Sequence, residues 1–335
     1  MKKLSYLSVY TIVFYIFFNT INFCQTKIDN LSSIKYYGNN LIFADNNNCS
    51  IYLYNSNNAI KIIEGRGVGL YYSLNEKNEV IGYKAIEENG LQTPYIYKLR
   101  DNKSLQLTEP VAKCGQVFIN NLGTVCFTTE NFINLIFIDG TKKSYNLGYY
   151  SNITKISNNN KLIVYNDHND QIWILNTITG EKFQISDNIK GYFNPSFSNS
   201  DNYLSYQALN GEIFIYNFNS KTTKNIGIGF SPSWANNSDR ILFYTKIIEG
   251  EKVINTDIEE YDCYFDVKNK LTESNNIFEI DPSYNINDTK IAYCFLNKEN
   301  ICVADYNNNK LNNSTETQIK INYLGKICHI VIHQI

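Results

Sequence analysis

Histidine is nearly missing from this chain of 335 residues, which has three, at positions 168, 329 and 333. That scarcity closes most routes to an imidazole metal site or an imidazole general base. His329 and His333 stand four apart in an alternating apolar stretch. As strand neighbours they would lie ~13 Å apart, too far to share one metal. His168 sits in Asn166-Asp-His-Asn-Asp170, whose oxygens resemble calcium ligands. No glycine at the turn and no downstream bidentate glutamate completes such a loop, so a solvated turn is expected. Charge of one sign is missing as well: 30 Lys and Arg stand against 32 Asp and Glu, a net −2. That leaves no basic footprint for nucleic acid and no polybasic membrane patch. Gly-x-Ser-x-Gly elbows, glycine-rich phosphate loops and paired metal-binding cysteines do not occur. The sequence therefore assigns no catalytic, cofactor-binding or metal-binding residue. Nor does any stretch after residue 25 hold a helical period.

What the chain has instead is aromatic residues, 27 Tyr and 19 Phe, arranged in a repeat. Pro195-Ser-Phe-Ser-Asn-Ser-Asp-Asn-Tyr-Leu-Ser-Tyr206 recurs at 232–243 and 282–293. Each copy runs Pro-Ser-aromatic, polar turn, apolar strand, aromatic. Looser copies at 116–127, 154–165 and 72–83, and a shortened one at 34–43, place the closing aromatics at Phe43, Tyr83, Phe127, Tyr165, Tyr206, Phe243 and Tyr293. Their spacings are 40, 44, 38, 41, 37 and 50. A period of this size means stacked four-stranded units. After each anchor comes a polar turn and a third apolar strand, as at 171–175 and 212–216. Tyr, Phe, Ile and Val fill the strands while Asn, Asp, Gly and Ser fill the turns.

The prediction is all-β: a seven-bladed propeller of four-stranded antiparallel blades over residues 30–325, at ~44 residues per blade. Six blades would need ~52 residues each, and eight would need one more blade from a short C-terminal segment. The Pro-x-aromatic motif and the Lys/Arg-Ile-Ala/Leu-aromatic ending resemble the TolB-type repeat of WD40-like propellers, best at 282–293 and 232–243. The family's Pro-Asp-Gly turn is replaced here by Asn-Ser-Asp, Asn-Asn-Ser and Ile-Asn-Asp. That resemblance implies a binding platform or a gating domain.

The termini carry separate expectations. Met1-Lys2-Lys3, an apolar run over 4–18 and polar Asn19-Thr20 read as a signal peptide over 1–24, with an uncleaved anchor as the alternative. Phe23 before Cys24 is wrong for lipidation of that cysteine. An exported protein follows, periplasmic or secreted, touching membrane only through an uncleaved anchor. Residues 326–335 are too apolar for a free tail, so they are expected to close or cap the ring. Of the cysteines, most are expected to act as small core residues; Cys294 and Cys302, flanking a turn at 296–299, are the one candidate disulfide pair. The acidic stretch 257–266 is expected to be a solvated strand edge.

Function is read in two ways. The first is a non-catalytic propeller that binds a protein or cell-envelope component through its loop face, without cofactor. The alternative is a propeller hydrolase or lyase with its site in the central funnel, acting on a glycan or peptide. A channel lined by convergent Asp, Glu, His and Arg would favour the enzyme; a ring of Asn, Ser and Tyr would favour binding. The candidate recognition surface is the sixth blade, where the spacing of 50 demands a longer hairpin. Its residues are Ile247, Ile248, Glu249, Glu251, Val253, Ile254 and Glu259, because loops that outgrow a rigid scaffold concentrate binding groups.

Overall fold

The computed structural model describes residues 31–45, 47–55, 58–296, 300–307 and 309–318. The expected signal segment, the expected closing strand, Cys24, Cys328, His329 and His333 lie outside them. The described residues form twenty-eight strands and no helix. They group into seven antiparallel sheets, each of four strands consecutive in sequence. The blades are 31–64, 73–106, 118–146, 154–184, 192–228, 230–270 and 279–318. The expected seven-bladed propeller is what the chain forms. In every blade the first strand is innermost, lining a central channel.

Each closing aromatic lies on the second strand of its blade and is buried. Side chains alternate across a strand, so each second strand sends its anchor to one face and the preceding residue to the other. Seven hydrophobic clusters result, one per junction between blades. Tyr206 packs with Val164 and Ile174 of the blade before it, and Phe243 with Ile213 and Ile215. Tyr293 packs with Leu242 and Ile258, while the adjacent Ala292 faces blade 1. Burying one such ring stabilises the junction by ~1.5–3 kcal/mol. Blades 7 and 1 close the ring in the same way, through Leu31, Ile34, Phe43, Cys294 and Ile301. Both are complete four-stranded sheets.

Prolines 195, 232 and 282 stand inside inner strands. A proline cannot donate to a sheet ladder, but the inner strand is an edge and is bulged at this point. The register shifts between Phe193 and Ser196, Phe230 and Ser233, and Ile280 and Ser283. The residue before each proline takes the left-handed conformation: Asn194 at φ 52°, Ser231 at 51° and Asp281 at 53°. The polar turns after these strands bind blade to blade. Asp201 accepts backbone hydrogen bonds from Asn158 and Asn159 of the preceding blade, both 2.8 Å. Asp288 takes the Asn236 and Asn237 amides at 2.8 and 2.7 Å.

Two expectations fail. Cys294 and Cys302 are free, buried thiols. In the ladder Tyr293 faces Cys302 and Cys294 faces Ile301. That one-residue offset sends Cys302 toward blade 6 and Cys294 toward blade 1, so no disulfide joins them. The acidic stretch 257–266 is not a solvated edge either. It runs through the third strand of blade 6, Lys252–Asp262, which is paired on both sides. Asp257 is buried with Lys270 at 3.0 Å, and Glu260 is buried with the Tyr306 hydroxyl donating to it at 2.8 Å.

Candidate functional site

Two features of the ring stand out: one hairpin and the channel. In blade 6 the second and third strands, Arg240–Glu249 and Lys252–Asp262, have 10 and 11 residues. The corresponding strands of blade 5, Tyr203–Ala208 and Glu212–Asn217, have 6 each. The excess of about four residues carries the hairpin ~13 Å further out. Its tip is a two-residue turn, with Gly250 at φ 62° and Glu249 facing Lys252. A positive φ costs glycine nothing, which suits a tight hairpin.

The base of this hairpin is fixed. The Thr256 amide donates to the Ile277 carbonyl at 3.1 Å, Thr256 forms a parallel bridge to Phe278, and Asn255 donates to the Ser274 carbonyl. Beyond the base, Ile247, Ile248, Val253 and Ile254 are 37–61% exposed. The structure thus gathers these four with Glu249 and Glu251 at the projecting end. Glu259 is elsewhere: it faces Phe243 inside the blade, half-buried, with Lys268 at 3.3 Å. Turns between second and third strands share a side of the ring with the connections between blades. Exposed Leu209 and Ile189 therefore lie on the hairpin's side.

The channel is a cavity of about 380 Å³ walled by the inner strands and adjoining turns of all seven blades. Its rim on the hairpin's side includes Ser33, Tyr71, Gln116, Asn194, Ser231 and Asp281; the opposite rim carries Asn121, Asn158, Asn199 and Asn236. The asparagines are linked: Asn158 Oδ1 accepts from the Asn121 amide at 3.0 Å, Asn158 Nδ2 donates to the Asn199 carbonyl at 3.0 Å, and Asn199 Nδ2 donates to the Asn236 carbonyl at 3.1 Å. Among the described residues Asp281 is the only carboxylate in the wall. It accepts from the Ser33 amide at 2.8 Å and from the Ser231 hydroxyl. The described wall matches neither lining weighed from the sequence in full: Asn, Ser and aromatic groups make up much of it, with Lys35, Lys155 and Asp281 among them.

Two channel residues were missed in the sequence, Lys35 and Lys155. They stand where other blades carry Ser73, Ser196 and Ser233; superposing the repeats on the strand after each bulge would have singled them out. Each is partly reached by solvent along the channel while enclosed by its walls. Lys155 lies over the Phe118 ring at 5.8 Å and Lys35 over the Tyr72 ring at 5.6 Å. Burial, and then the like charge of Lys35, push the Lys155 ammonium down to about 7. Burial lowers Lys35 as well, opposed by Asp281.

His168 occupies an ordinary turn, with Asp167 Oδ1 accepting from the Asn169 and Gln171 amides at 2.9 and 2.8 Å and the imidazole edge-on to Tyr149. Among the described residues no group of three or more His, Cys, Asp or Glu is placed to hold a metal ion.

No protein-family model matches the sequence, and no curated protein matches it. Among solved structures the chain is similar to the tricorn protease, with a TM-score of 0.57 and 11% identity over 87% of this chain. The match covers 35% of the tricorn protease chain, so this chain spans about a third of it. It is also similar to the β-propeller domain of Cps50 (Swd1) from Myceliophteria thermophila, with a TM-score of 0.54 and 10% identity over 75% of this chain and 86% of that one. At these identities the likeness is one of fold, the β-propeller.

Proposed function

We propose that this protein is an exported, non-catalytic propeller of the TolB type, which captures a protein or cell-envelope component through its loop face. The observation that carries the proposal is the blade 6 hairpin. Its base is tied to blade 7, yet its end presents four isoleucine and valine side chains to solvent. Apolar surface held out on a rigid support is what an interface offers, since partner binding removes it from water without first ordering a loop. The Pro-Ser-aromatic copies support the TolB type, and the apolar run behind Met1-Lys2-Lys3 supports export.

The register dictates how to test this. Ile247 faces Asn255, so replacing residues 248–254 by Asn-Gly leaves that native pair closing a two-residue turn. The shortened protein should unfold at the wild-type denaturant midpoint but retain none of the envelope component that the wild type captures from native membranes. Retention at the wild-type level by a shortened, folded protein removes the hairpin from the binding role. Cell fractionation checks export: protein found wholly in the cytoplasm contradicts it.

A further inference from the structure

We infer that the central channel is a binding site for a small oxyanion, a phosphate or a carboxylate, held between the ammonium groups of Lys35 and Lys155. The proposal is independent of the hairpin's role. Its first support is charge. Among the described residues the ionisable groups lining the cavity are Lys35, Lys155, Asp281, Tyr71 and Tyr72. With both lysines protonated and Asp281 ionised, the wall carries a net positive charge. Asp281 is already engaged by the Ser33 amide and the Ser231 hydroxyl, and it forms no ion pair with either lysine.

The second support is unused hydrogen-bonding capacity. Neither lysine Nζ has a hydrogen-bond or ion-pair partner among the described residues. Gln116 also lines the cavity and is only 8% exposed, and its Nε2 has no partner. An enclosed ammonium group without an acceptor costs free energy, which a ligand that accepts from it returns. Two such donors, on the inner strands of blades 1 and 4, thus share one cavity, with Gln116 beside them in its wall. The shared acceptor they suit is an anion with several oxygens. The space of about 380 Å³ accommodates such an ion with on the order of ten waters.

The third support is coupling between the two lysines. Each ammonium is disfavoured by burial, and Lys155 also by the charge of Lys35. An anion between them relieves that repulsion, so binding draws a proton onto Lys155. Affinity should therefore rise as the pH falls through about 7.

Isothermal titration with inorganic phosphate and, separately, succinate tests the inference on the full chain. At about pH 6 one probe or both should bind saturably at one site, and affinity should weaken at about pH 8.5, where Lys155 is neutral. The tighter probe identifies which oxyanion class the site prefers. Lys155→Met should weaken binding by about tenfold or more, and Lys35→Met likewise. Removing an enclosed ammonium that no ion pair holds should leave the melting temperature unchanged or raised. If a methionine variant does not fold, reductively methylated wild-type protein supplies the readout: the Lys35 and Lys155 methyl resonances should shift on phosphate addition. Absence of saturable heat for both probes up to roughly 10 mM, wild-type affinity in a folded Lys155→Met, or unmoved lysine resonances each overturns the site. The hairpin-shortened protein should keep its anion affinity, which separates this site from the loop-face reading.

Discussion

Blades 5, 6 and 7 carry the clear repeat, whereas blades 2, 3 and 4 carry it in outline, and their inner strands differ accordingly. In the clear blades these strands are Tyr192–Phe197, Phe230–Trp234 and Glu279–Tyr284, of 6, 5 and 6 residues. In the others they are Ser73–Asn75, Phe118–Ile119 and Thr154–Ile156, of 3, 2 and 3. The second strands of blades 4 and 5 hardly differ, at 5 and 6 residues, and the anchors of both groups are buried alike. The motif therefore records the bulged, proline-bearing strand at the channel. The packing between blades needs only an aromatic ring at the right period.

The sharpest way to break this comparison is to truncate one anchor from each group. Tyr165→Ala in blade 4 and Tyr206→Ala in blade 5 should each lower unfolding free energy by roughly 3–5 kcal/mol, because each leaves a ring-sized cavity at a junction. Urea denaturation measures both. A much smaller loss for Tyr165 would show that the outline blades are also the loosely packed ones.

A smaller effect separates the turns. Asp288 holds two backbone amides of blade 6. In blade 4 the same turn position is Asn160, whose Oδ1 accepts from the Asn120 side chain; in blade 3 it is Gly123. Asp288→Ala should cost about 1–3 kcal/mol, since it strands two donors, and Asn160→Ala no more than about 1 kcal/mol. Equal losses in the two denaturation curves would erase the distinction.

The smallest effect is in acid. Glu212, opening the third strand of blade 5, accepts from Lys190, then Asn210 and Asn225, and these hold its carboxyl down to about 2. A carboxyl depressed in the folded state adds stability above its unfolded value of about 4.3, and loses it as the pH falls through the folded one. Blade 4 has neutral Gln171 at this place. Glu212→Gln should flatten the decline of the urea midpoint between about pH 4.5 and pH 2, leaving the neutral-pH midpoint nearly as it was. An unchanged acid slope contradicts the assignment.

Much of this architecture was legible because one buried ring per unit leaves a regular trace in the chain. The long hairpin was legible too, since the spacing of 50 between Phe243 and Tyr293 had to be housed somewhere. Three things were hidden because they depend on pairing rather than composition. Cys294 and Cys302 are parted by a one-residue offset in register. Asp257 and Glu260 look like solvent residues until the stretch is placed third in its sheet, and Glu259 looks like a tip residue until its pairing with Phe243 is known. Lys35 and Lys155 are ordinary lysines along the chain, and only the closing of the ring makes them share a channel.

The turn contacts at Asp201 and Asp288, like the anchors at Tyr206 and Phe243, all reach back to the blade made before. During synthesis each blade is therefore covered by its successor within one more repeat of chain. Blade 1 is the exception: the side with Leu31, Ile34 and Phe43 faces blade 7 and has no earlier neighbour among the described residues. It waits for blade 7 until some 250 further residues have been made, which at about 5–20 residues per second is on the order of tens of seconds. The first blade to emerge is the last to be sheltered, and its bare side is where a chaperone, or a second nascent chain, has the longest time to attach.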